Sequence, residues 1–162
     1  MKLTTSEDIG TMDQVKIQAQ VLLPLARALR EEIGEQRTRE LLRAAIEEAS
    51  RERICDQADQ LEGSPLEKFQ AMMGRSARVN GPQLEFEVRE MKPERMEFDV
   101  KRCRYAELFQ SLGEAELGAM LLCAGDAYMA EVAGPAVEFT RSQTLMQGGS
   151  HCDFCYRIQR SE

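Results

Sequence analysis

The sequence predicts an α+β fold: an N-terminal helical pair packed with a roughly four-stranded antiparallel sheet of two hairpins and a central helix. Three observations predict it. Apolar residues recur at helical spacing from Met12 to about Asp59, and the period changes to two near Asn80-Gly81-Pro82. A further helical stretch, about Arg104 to Val132, then separates that alternating segment from a second one near the C-terminal end. The 162 residues suit one domain, 1–162, with a helical part at 12–76 and a hairpin-helix-hairpin part at 83–160.

Each element has its own signal. Val15, Ala19, Leu22, Ala26, Leu29 and Ile33 line one side of a first helix, with Pro24 expected to kink it or start a new segment. That stripe can serve a monomer core, the simpler reading, or the seam of a homodimer. Gly34 punctuates. A second helix follows with Leu42, Ala45, Ile46 and Ala49 inward and a charged face of Glu40, Arg43, Glu47, Glu48, Arg51 and Glu52. Ser64-Pro65-Leu66-Glu67 reads as a capping box opening a short helix that ends near Met73-Gly74. Leu84, Phe86 and Val88, then Met96, Phe98 and Val100, alternate with charged residues around a Met91-Lys92-Pro93-Glu94 turn, which is a hairpin with one acidic, solvated side. The third helical stretch is broken near Leu112-Gly113, and its second part carries Leu117, Leu121, Ala124, Tyr128 and Val132 on one face. A last hairpin is expected from Ala136 to Met146 and from Cys152 to Ile158, joined by Gln147-Gly148-Gly149-Ser150.

Composition bounds the chemistry. The net charge of −7 and the lack of a basic patch speak against nucleic-acid binding, which needs basic density to displace counterions. No apolar run approaches the roughly 20 residues of a membrane span. The N-terminal Met1-Lys2-Leu3-Thr4-Thr5-Ser6-Glu7-Asp8 is polar and unlike a signal peptide, so five cysteines suggest reduced thiols in the cytoplasm. With one histidine, His151, any Ser-His-Asp or Cys-His machine must use that residue.

Three foci stand out. Asp126 is the only carboxylate in Ala119 to Ala130, where it must be hydrogen-bonded, paired or working, and Gly125 beside it lowers helix propensity. It can equally lie on an exposed helix edge. In His151-Cys152-Asp153-Phe154-Cys155-Tyr156, Cys152 can be a nucleophile, Cys152 and Cys155 can begin a metal or redox pair, or both can be small apolar residues of a strand. Strand geometry weighs against the second reading, because residues three apart face opposite ways, and against a Cys152-His151 dyad. Asp153 reads as a turn or surface group. In Arg102-Cys103-Arg104-Tyr105, Cys103 lies where a helix N-terminus favours a reactive thiol, with a buried spacer as the bland alternative. Arg141 or Arg157 can grip a substrate carboxylate as a fork or be ordinary surface arginines.

Taken in order, Arg102 to Phe109, Leu112 to Gly118, Leu122 to Asp126, Arg141 to Gly148 and Cys152 to Tyr156 resemble the L-2-amino-thiazoline-4-carboxylic acid hydrolase family, most strongly over 100–158. The resemblance implies a small bacterial hydrolase that acts on a cyclic, amidine-like C–N bond and yields N-carbamoyl-cysteine. Arg104 stands where the family pattern has Pro and adds charge at a pocket mouth. Within that reading Cys152 is the nucleophile and Asp126 transfers protons, or Asp126 activates water and Cys152 lines the pocket. Cys103, Tyr105, Cys123, Arg141, Arg157 and His151 are the substrate-binding candidates. The expected partner is a small-molecule substrate; no cofactor and no metal are expected. The competing class, similar to the small-molecule-binding domains named after four-vinyl reductase, would bind a ligand or metal without catalysis.

Overall fold

The computed structural model describes residues 9–159. The chain divides into two compact units, with the boundary after Ala45. The fold class is α+β, with an N-terminal helical pair and a four-stranded antiparallel sheet.

In the first unit, α1 (Thr11–Ile33) runs unbroken through Pro24 and ends at Gly34, whose φ of 81° suits glycine. Its buried side is Val15, Ala19, Leu23 and Ala26, so the stripe is shorter than expected and Ile33 is exposed. The second helix, α2 (Glu35–Asp59), crosses the boundary between the units. Its buried residues are Thr38, Ser50, Ile54 and Ala58, whereas Ala45 and Ala49, expected inward, are exposed.

The second unit holds the sheet. Its first helix, α3 (Pro65–Asn80), opens with the expected capping box: the Glu67 amide donates to Ser64 Oγ and the Ser64 amide donates back to Glu67. It does not end at Gly74 but runs to Asn80. A single helical glycine costs only about 1 kcal/mol, and the last turn is tied down by the Tyr105 hydroxyl, which donates to Asn80 Oδ1 at 3.0 Å. The hairpin β1 (Leu84–Lys92) and β2 (Arg95–Cys103) turns at Pro93-Glu94, tighter than expected because Met91 and Lys92 still pair. The helical stretch that follows splits into α4 (Arg104–Ser111), α5 (Ala115–Gly118), a π-helical turn over Ala119–Cys123, and α6 (Gly125–Glu131). Then come β3 (Val137–Thr140) and β4 (Cys152–Ile158). The expected long strand from Ala136 to Met146 is thus only four residues; residues 141–151 form a compact loop with a 3-10 turn at Leu145–Gln147.

The sheet order is β1-β2-β4-β3. Register places Phe98 opposite Phe154 and Phe139 opposite Tyr156, so one face carries an aromatic layer. Phe69 of α3, together with Ala130, Ala133 and Val137, packs with Tyr156 into a core. A neighbouring cluster joins Ile54 and Ala58 of α2 to Met72 and Tyr128. No described helix is long and apolar enough to cross a membrane.

Candidate active site

Alternation along β4 sends Cys152, Phe154 and Tyr156 to the aromatic face and Asp153, Cys155 and Arg157 to the other. Cys152 is buried, and its sulfur accepts a 3.2 Å hydrogen bond from the Leu145 amide. Cys103 ends β2 just before α4, where burial pushes its thiol pKa up by more than the Ala106 and Tyr105 amides pull it down. Cys123 closes the π turn, in which the Ala124 amide donates to Ala119 O at 3.2 Å. Such turns interrupt helices disproportionately at functional sites, and this one re-aims the chain just before Asp126.

Asp126 is paired. Arg141, the first residue after β3, donates from Nη1 to Asp126 Oδ2 at 2.6 Å and from Nη2 to Cys123 O at 3.0 Å. The side chains are 26% and 13% exposed, so the pair is largely removed from water. The guanidinium also lies 5.0 Å from the ring centre of Phe154 and 5.5 Å from that of Phe139. Burial raises the Asp126 pKa, and the charge and hydrogen bond of Arg141 pull the other way without cancelling it.

The three thiols and this pair form one electrostatic cluster. Burial, then the Asp126 charge, with smaller contributions from Cys152 and Cys103 and against the opposing charge of Arg141, pushes Cys123 up to about 12. Cys152 is raised first by burial, opposed by the Leu145 amide and Arg141. All three thiols are therefore protonated at neutral pH, and none is an activated thiolate. Among the described residues, no group of three or more His, Cys, Asp or Glu is arranged to hold a metal.

The other sequence candidates lie elsewhere. Tyr105 is buried with its hydroxyl on Asn80. Arg157 is on the opposite face of β4, 3.5 Å from Glu138 and over half exposed. His151 turns away from Cys152: its Nδ1 is 2.9 Å from Ser150 Oγ and its Nε2 is 3.8 Å from Asp99.

A cleft of about 270 Å³ opens on that opposite face where β3 ends, lined by Arg89, Glu97, Asp99, Thr140, Ser142, Asp153 and Cys155, with Arg141 and Phe154 at its side. Arg141 is common to cleft and thiol cluster. Asp99, expected on a solvated face, is only 5% exposed and bound by Lys101 at 2.8 Å and Arg89 at 3.4 Å. It stands opposite Asp153 in register. The Lys101 hydrogen bond outweighs burial and lowers the Asp99 pKa. Burial pushes Asp153 up, but hydrogen bonds from Ser142 and Gln143 hold it at about 2. Asp99 and Asp153 are thus held below the ordinary carboxylate range, whereas burial raises Asp126 above it.

Fold and site together define a small α+β protein with a desolvated carboxylate–guanidinium pair among protonated thiols. The chain belongs to the L-2-amino-thiazoline-4-carboxylic acid hydrolase family, whose profile matches residues 14–156. No curated relative matches it. Among solved structures, the phenol-responsive sensory domain of the transcription activator PoxR, determined with phenol, is similar at 15% identity and a TM-score of 0.48, over 85% of this chain and 73% of that one.

Proposed function

We propose that the protein is a hydrolase that opens a 2-amino-thiazoline-4-carboxylate-like ring, with Asp126 activating water. The observation that carries this reading is the Asp126–Arg141 pair at 2.6 Å, whose carboxyl burial raises above its ordinary value, beside three protonated thiols. Asp126 takes a proton from water as the oxygen bonds to the ring carbon between N and S, and returns it to the ring nitrogen. The carbon–sulfur bond then breaks, the sulfur receives the hydroxyl proton, and N-carbamoyl-cysteine is formed. Balanced this way, water saturates the C=N bond and the bond severed is C–S, which refines the expectation of C–N cleavage. Arg141 fixes Asp126 and stabilises its ionised form, and its unused N–H donors can take the substrate carboxylate. Cys152 is buried on the aromatic face, and its raised thiol supports a packing role over that of nucleophile.

Five free cysteines support a reducing, cytoplasmic setting. The test is direct incubation with 2-amino-thiazoline-4-carboxylate. A product one water heavier, carrying a new thiol, is expected. No product, with the ring compound still shifting the melting temperature, would instead favour a binding module without catalysis.

A further inference from the structure

The helix α1 carries apolar residues on two sides. One side, Val15, Ala19, Leu23 and Ala26, is buried, so the stripe read from the sequence as a core or a seam is spent inward. On the other side Ile17, Val21 and Leu25, one turn apart, are 52%, 60% and 54% exposed. At about 3.6 residues per turn, Gln14, Gln18, Pro24 and Ala28 complete that outer face. From Gln14 to Ala28 it holds no charged side chain, because Lys16 and Arg27 project from the flanks. A solvated helix face normally carries charge, as α2 does with exposed Glu40, Arg43, Glu48, Arg51 and Glu52.

We propose that this face is an interface with a second copy of the chain, in which two α1 helices pack antiparallel about a two-fold axis at Val21. A two-fold seam must match itself. Pairing about Val21 sets Ile17 against Leu25, Gln14 against Ala28, and Val21 against its own copy. The charges fit the same register. Glu31 and Glu32 are exposed in the last turn of α1, the end of a helix where the macrodipole disfavours carboxylates. The antiparallel pairing lays them alongside Thr11 and Gly10 of the second copy, at the positive end of its helix. No like charges oppose: Asp13 meets Leu29, Lys16 meets Ala26 and Arg27 meets Val15. A parallel pair would instead crowd the glutamates of both copies at one end.

A seam of one helix face is smaller than the standard interface of roughly 800 Å² per partner, so the dimer is reversible, with a Kd on the order of 10 µM. Sedimentation equilibrium of the whole chain should show the 18.3 kDa monomer passing to a dimer across that concentration range. Val21→Glu sets two carboxylates on the axis and should weaken the dimer by at least about 10-fold. In a Cys55→Ser chain, Val21→Cys should form an intermolecular disulfide under mild oxidation. Ala28→Cys should not, because its two copies lie about 20 Å apart along the paired helices. A chain still monomeric at about 20 times that Kd would overturn the proposal. So would a dimer that Val21→Glu leaves intact, or an Ala28→Cys chain that crosslinks as fast as Val21→Cys.

Discussion

Removing Arg141 is the perturbation with the clearest physical consequence. In Arg141→Met the Asp126 carboxylate keeps its burial and loses both its counter-charge and its 2.6 Å hydrogen bond. Breaking a fully buried pair costs about 3–5 kcal/mol. Asp126 retains 26% of its side-chain exposure, so we expect about 2–3 kcal/mol of destabilisation at pH 7. Replacing both partners, as Asp126→Asn with Arg141→Met, should recover much of that loss, with a coupling energy of about 1.5–2.5 kcal/mol. The sign of the pH dependence follows from the raised carboxyl. The folded chain holds the Asp126 proton more tightly than the unfolded one, whose value is the ordinary 3.8, so this contribution is fully present below 3.8 and is lost as pH rises through the folded value. Without Arg141 the folded value rises further and the loss grows. Asp126→Asn should therefore rescue Arg141→Met at pH 7 and not at pH 4. Urea unfolding of the four chains at both pH values measures this, and a coupling below about 0.5 kcal/mol would refute a working ion pair.

The thiols predict alkaline sensitivity: unfolded Cys123 ionises near the ordinary 9.0 while the folded thiol holds its proton to about 12, so stability should fall as pH rises across that window. Cys123→Ala should flatten the fall in pH-dependent unfolding. Asp153 has the opposite sign: its contribution is present above 3.8 and lost as pH falls toward about 2, and Asp153→Asn should remove that acid limb. At neutral pH iodoacetamide should modify exposed Cys55 well before Cys103, Cys123 or Cys152, and peptide mass spectrometry showing Cys152 modified first would contradict its protonated state. Gly118→Ala would place a methyl 2.6 Å from Phe109 Cγ and 2.7 Å from Met146 Sδ, and should lower stability by about 1–3 kcal/mol in thermal unfolding.

What could be read from the sequence follows from how local its causes are. The Ser64–Glu67 capping box and the alternation of Phe98 and Val100 are set by near neighbours, so helix start and strand appear in the sequence as in the fold. Asp126 was legible because a carboxylate in an apolar run needs a reason. Its partner could not be singled out, because Arg141 and Arg157 look alike until β3 stops at Thr140 and β4 sends Arg157 to the far face. The end of α3 depends on Tyr105, 25 residues beyond Asn80, and the burial of Asp99 depends on Arg89 across the hairpin. The thiol states were hidden for the same reason: proximity to a helix start argued for activation at Cys103, and burial, a tertiary property, outweighs it.

The central claim is that Asp126, and not Cys152, carries the chemistry. Turnover of 2-amino-thiazoline-4-carboxylate by Asp126→Asn and by Cys152→Ala, in one assay, tests it most directly. The account predicts that Asp126→Asn loses about 10²–10⁴-fold in kcat, while Cys152→Ala keeps a substantial fraction of activity. A Cys152→Ala chain that is inactive beside an active Asp126→Asn chain would contradict it.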